Sequence, residues 1–97
     1  MLLHIGGNVS LPLERVLLVL NDRGITPVTR AYVERARRER RYHACGGKPK
    51  SYVVVREDGR EAVYASAIAS ATLEKRWRDE VGRRYLFDAA LMTITID

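Results

Sequence analysis

The chain has one cysteine, Cys45, so no intramolecular disulfide can form and a reducing compartment, the cytoplasm, is the natural setting. Aromatic residues make up only 7% of it, which leaves few platforms for stacking unpaired bases and ranks RNA low among partners. The longest apolar run, Val16 to Leu20, is far short of the roughly 20 residues a membrane span needs. The opening MLLHIGGNV has no basic leader before an apolar core, so it does not read as a signal peptide. Neither GGN nor CGGKPK has Walker spacing, and there are no internal repeats. No nucleophile–base–orienter set and no paired carboxylates stand out, so the chain is expected not to be an enzyme and to need no cofactor, metal or small-molecule ligand.

What is present is positive charge, gathered in one place. The 97 residues sum to +5, with a pI near 9.8. The stretch RAYVERARRERRYHACGGKPK, Arg30 to Lys50, sets eight basic residues against two acids, so everything outside it sums to −1. Such a block makes nucleic acid or an acidic protein surface the first partner to consider. A chain of this length buries only about two-thirds of its unfolded surface. Self-association is therefore an accessible way to gain stability.

Taken in order, Leu3 and Ile5 alternate with His4, Gly6-Gly7-Asn8 supplies turn residues, and Val9 and Leu11 return: a hairpin over residues 2–11. His4 reads as an ordinary half-exposed strand residue. Pro12 ends the second strand, and Val16–Leu20 reads as a strand buried on both faces, in preference to a short helix capped by Ser10. Arg15 sits at its mouth. Thr26-Pro27 is a helix start, with a threonine cap and proline in the first position. The helix is predicted to run from Pro27 to about Tyr42, with Val28, Ala31, Tyr32 and Ala36 on its apolar arc. Arg30, Arg37 and Arg41 fall opposite, Arg38 and Arg40 flank them, and Arg35 intrudes on the apolar arc. Several of these arginines also suit the helix C-terminus, where cations favour the macrodipole.

His43 and Cys45 share a face of an extended segment, but no third ligand or orienting carboxylate comes after them in sequence. The loop Gly46-Gly47-Lys48-Pro49-Lys50 offers two ammonium groups at the edge of a strand, Tyr52–Val55. An Asp58-Gly59 turn leads to the returning strand Ala62–Ser66. Ser70 opens a second helix that should bury Leu73 and Trp77. Beyond Arg78, Tyr85-Leu86-Phe87 and the alternating Met92–Ile96 suggest a terminal hairpin or edge strand able to pair with a neighbouring subunit.

Four stretches in this order and spacing, MLLHIGGNV, RVLLVL, GGKPKSYVVV and VYASAIASATLEKRW, resemble the extracellular matrix regulatory protein family of bacteria (RemA/RemB). KPKS with its valine strand and the S-A-T-L-x-K-R helix are closer to the RemB branch. The resemblance covers roughly residues 1–77. It implies a small cytoplasmic DNA-binding protein that controls matrix and biofilm genes. It also implies a homo-oligomeric ring with an arginine-lined, LytTR-like DNA-binding surface. The family's DNA-contacting arginines correspond to Arg15 and, in the loop, to Lys48 with Pro49 in place of the second arginine. Lysine keeps the charge but loses the bidentate fork, which favours phosphate contact over base readout.

The expected architecture is α+β: a curved, mostly antiparallel sheet of five to seven strands with one long and one short helix. Residues 1–77 are expected to form the domain and 78–97 an extension. The expected partners are double-stranded DNA and further copies of the chain, with no membrane. Arg15, Lys48 and Lys50 are the DNA-binding candidates. Arg30, Arg35, Arg37, Arg38 and Arg41 are further candidates for phosphate or interface contacts. The alternative is an oligomeric adaptor whose arginine helix binds an acidic partner.

Overall fold

Turn residues punctuate the chain where the sequence places them. In the computed structural model, which describes residues 1–96 and side chains as far as Arg83, β1 (Leu2–Gly6) pairs antiparallel with β2 (Val9–Pro12). At Gly7, φ is 55° and an added Cβ would come within 3.1 Å of the Cys45 carbonyl, so both conformation and closeness require glycine. A 3₁₀ turn at Leu13–Arg15 leads into β3 (Val16–Asn21), and a second at Asp22–Gly24 into α1 (Pro27–Arg38). Then come β4 (Tyr42–Ala44), β5 (Ser51–Glu57), β6 (Arg60–Ser66) and α2 (Ser70–Ile96). Asp58 and Gly59, both at positive φ, turn β5 into β6 as expected.

The class is α+β, but the strands form two sheets instead of one. β1 and β2 make a two-stranded sheet, and β3-β5-β6-β4 make a four-stranded one in which β4 runs parallel to β6. β5 is the central strand and separates two cores. Val53 and Val55 point to one, with Leu3, Ile5, Leu11, Leu13 and Leu73. Tyr52 and Val54 point to the other, with Val33 and Ala36 of α1. The hairpin and the start of α2 thus cover one face, and α1 covers the other. No helix among the described residues is long and apolar enough to cross a membrane.

Several expectations are corrected. The strand buried on both faces is β5. β3 lies at the sheet edge, with Leu17 and Leu18 48% and 47% exposed. A run of five apolar residues fits either position, and only pairing order decides. α1 is the shorter helix, at 12 residues, and stops at Arg38 instead of about Tyr42. Its buried side is Val33 and Ala36, with Tyr32 half-buried, while Val28 is 82% exposed. Arg35 consequently lies outside the buried face. The helix ends because Arg40 turns left-handed at φ 60°; its N–H then donates to the Arg37 carbonyl and that of Arg41 to the Ala36 carbonyl. This is the Schellman pattern, and it closes the last turn and releases Tyr42 into β4.

The hairpin or edge strand expected over 78–97 is also corrected: α2 continues unbroken through Ile96, so the proposed 77/78 division falls inside a helix. Asp97 lies outside the described residues. A helix satisfies its backbone groups within the segment and needs no partner strand. Leu73 is fully buried as expected, but Trp77 is 39% exposed beside β3.

A non-glycine residue in the left-handed region costs roughly 1–2 kcal/mol, part of which glycine's greater unfolded-state freedom returns. Arg40→Gly should therefore stabilise the fold by about 0.5–1 kcal/mol in urea denaturation. A loss of stability would contradict the strain at this cap.

Candidate functional site

Lys48, Pro49 and Lys50 precede β5, and backbone bonds on both sides set the position of Lys50. The Lys50 N–H donates to the Ser66 carbonyl at 2.8 Å, and the Asp22 N–H donates to the Lys50 carbonyl at 3.1 Å. Lys50 thus continues β5 by one residue, between β6 and the turn after β3. Directly beneath it, Ser51 and Ser66 are register partners, and both are completely buried. The Ser51 hydroxyl donates to the Ile68 carbonyl, and the Ser66 hydroxyl donates to the Ile5 carbonyl while accepting the Ile68 N–H. These bonds fix residues 66–69, which carry the chain into α2.

The result is a cleft of about 590 Å³ at one end of the four-stranded sheet. It is lined by Asn21, Asp22 and Arg23 on one side, Lys48, Pro49 and Lys50 on another, and Ala69, Ser70 and Ala71 at the head of α2. Among the described residues no carboxylate forms an ion pair with Arg23, Lys48 or Lys50. Asp22, the one acid in the lining, is occupied: its Oδ1 accepts the Tyr52 hydroxyl at 2.8 Å and lies 3.9 Å from the Arg30 guanidinium. With three cations against this one carboxylate, the cleft lining is net positive.

Arg15, the other DNA-binding candidate, stands at the opposite end of β3. At ~3.3 Å per strand residue, it is on the order of 20 Å from Lys50. One copy of the chain does not bring the three candidates together. Arg15 lies instead beside the Tyr64–Glu57 pair, where its charge opposes the rise of the Tyr64 pKa.

Three of the six arginines between Arg30 and Arg41 are closely engaged within the fold. Arg41 is the clearest case: its side chain is only 11% exposed, and it donates to the Glu61 carbonyl and twice to Glu39. Arg35 pairs with the same Glu39, four residues on. The two arginines hold the Glu39 carboxyl below its usual range, chiefly through the Arg41 hydrogen bond. The Arg37 guanidinium lies 4.5 Å over the Tyr42 ring. Arg38 is exposed on the helix surface, and Arg30 is exposed apart from its long approach to Asp22.

Sequence reading missed two features. Arg23 looked like a turn residue, and nothing in its local pattern tells that the turn abuts the lysine loop. His43 does have a nearby carboxylate, supplied from afar: its Nε2 is 3.5 Å from Glu57, and its ring stacks on Tyr64 at 4.5 Å. The parallel register of β4 on β6 creates this trio, and no spacing rule announces it. Burial pushes the Cys45 thiol up, which works against a thiolate nucleophile there. Among the described residues no three His, Cys, Asp or Glu side chains gather to hold a metal. No protein-family model matches the chain, and no curated protein matches it significantly.

Burial, then the hydrogen bond to Asp22, pushes Tyr52 up to about 12; burial, then Glu57, does the same to Tyr64. A raised folded-state value means the native protein holds these protons more tightly than the unfolded chain. Their contribution is complete below the ordinary tyrosine value near 10 and is lost as pH rises towards 12. The melting temperature should fall across that window, and Tyr52→Phe with Tyr64→Phe should flatten the fall. A decline as steep in the double variant would contradict the assignment.

Proposed function

We propose that this chain is a DNA-binding transcriptional regulator that acts as a homo-oligomer and grips double-stranded DNA by its phosphates. The observation that carries the reading is the cationic cleft, in which Lys50 is backbone-pinned, Lys48 and Lys50 have no acidic partner among the described residues, and three cations outnumber the one acid, Asp22. Flexible cations on a fixed backbone suit phosphate oxygens, which position a protein on DNA without reading sequence. Lysine in place of arginine points the same way.

Arg15, on the order of 20 Å from the cleft by strand rise, would meet a different phosphate or serve the site of an adjoining subunit. An assembly that repeats both points would gain affinity by effective concentration without new contacts. Support for self-association comes from β3. Its outer edge is unpaired among the described residues, and Val16–Val19 with Glu74 and Trp77 line a shallow groove bearing the exposed Leu17 and Leu18. A ring, a LytTR-like surface, a cytoplasmic location and control of extracellular matrix and biofilm genes rest on the family resemblance of residues 1–77. In the adaptor alternative, an acidic protein binds the α1 arginines. It draws less support, because Arg35, Arg37 and Arg41 are committed to Glu39, Tyr42 and Glu61.

Two measurements test the reading. Each phosphate neutralised contributes about 0.9 to the slope of log K against log salt, so Lys48→Ala with Lys50→Ala should flatten the slope by about 1.8. An unchanged slope in a fluorescence-anisotropy titration with a 20-bp duplex would overturn it. Sedimentation should find an oligomer, and Leu17→Asp with Leu18→Asp should yield monomers. A wild-type monomer at all concentrations would remove the oligomeric part.

A further inference from the structure

We infer that Arg23 completes a three-cation phosphate cradle with Lys48 and Lys50, and is its one bidentate donor. The inference rests on the DNA-binding reading above and adds a residue that the family resemblance does not supply. Three observations carry it.

The first is placement. The Asn21 side-chain oxygen accepts the Arg23 N–H at 3.0 Å and fixes the 3₁₀ turn Asp22–Gly24. The neighbouring Asp22 N–H donates to the Lys50 carbonyl, so the Arg23 turn and the lysine loop are held as adjacent backbone segments. Neither can drift from the other without breaking a bond of the sheet's extension. The second is the space between them. Arg23, Lys48 and Lys50 line one cleft of about 590 Å³, within the range that accepts a small organic group rather than a lone ion. Ala69, Ser70 and Ala71 also line it, and their small side chains leave room for a sugar–phosphate backbone to approach.

The third is charge and geometry. Among the described residues Arg23 has no carboxylate within ion-pair distance, and the three cations of the lining outnumber its one acid, Asp22. Lysine ammonium groups act on phosphate as point charges. A guanidinium presents two parallel N–H donors that match two phosphate oxygens. The cradle therefore combines two mobile point charges with one planar fork, and it recovers at Arg23 the bidentate capacity that Pro49 removes from the loop. The arginines of α1 and of the segment after it offer no equivalent: Arg41 is internal, Arg35 and Arg37 are engaged, and Arg38 lines no part of the cleft.

The test is a salt titration of binding to a random-sequence 20-bp duplex, comparing wild type with Arg23→Ala, Arg23→Lys, Arg38→Ala and the Lys48→Ala, Lys50→Ala double variant. Arg23→Ala should lower the slope of log K against log salt by about 0.9, so its affinity deficit shrinks about 3.5-fold between 50 and 200 mM salt. Arg23→Lys should keep the slope, because the charge stays, but bind more weakly at every salt concentration. Arg38→Ala should leave both unchanged. If the lysine variant flattens the slope and Arg23→Ala does not, DNA binding stands and the cradle is wrong. If Arg38→Ala loses as much as Arg23→Ala, the contact is diffuse and the cradle is again wrong. If no variant moves the slope, the DNA reading falls and this inference with it. Arg23 is exposed, and thermal melts of each variant, with Arg23→Gln as a second neutral replacement, separate lost contact from lost fold.

Discussion

Ser51 and Ser66 face each other across β5 and β6 with no solvent exposure, and their hydroxyls tie together three parts of the chain that sequence separates widely. Ser66 reaches Ile5 in the first hairpin and Ile68 ahead of α2; Ser51 reaches Ile68 from the other side. Two buried hydroxyls cost free energy unless they find partners, and here each does. The consequence of this polar layer is geometric. It fixes where the lysine loop leaves the sheet, where α2 begins, and how far apart they stand. The cleft exists because the strands above the serines are held and the chain beyond them is not allowed to close.

The second determinant is the two-faced burial of β5. Val53 and Val55 on one side and Tyr52 and Val54 on the other unite the hairpin core with the α1 core. Tyr52 serves both ends of this arrangement: its ring packs against α1 residues, and its hydroxyl occupies Asp22 at the cleft. Stability and site electrostatics therefore share a residue. The cleft stays positive because Arg23, Lys48 and Lys50 outnumber Asp22 in its lining.

Much of this was legible in the sequence. The hairpin of residues 2–11, the Thr26-Pro27 helix start, the Asp58-Gly59 turn and the onset of α2 all rest on local chemistry, and each forms as read. Expectations failed where pairing order or distant partners decide. β3 and β5 are both short apolar runs, and nothing local says which lies at the edge. Arg40 accepts a left-handed conformation that residue preferences place on glycine, so α1 ends early. Met92–Ile96 alternate like a strand yet continue a helix, so alternation over five residues does not by itself decide the element. At the site, the lysine loop stands out by composition, whereas Arg23 gains meaning only from the bond between Asp22 and Lys50. The densest charge, on α1 and just beyond it, is partly engaged within the fold: Arg35 and Arg41 share Glu39 and Arg37 lies over Tyr42, while Arg30 and Arg38 stay exposed.

Charge density and charge availability thus part company in this molecule, and that separation is the central claim. Only three lysines occur in the chain, Lys48, Lys50 and Lys75, which makes amine footprinting unusually direct. With saturating duplex DNA, acylation of Lys48 and Lys50 should drop sharply, while Lys75, on α2 and outside the cleft lining, should react as it does in the free protein. Equal protection of all three would indicate indiscriminate coating. Full reactivity of Lys48 and Lys50 in the bound state would contradict the account.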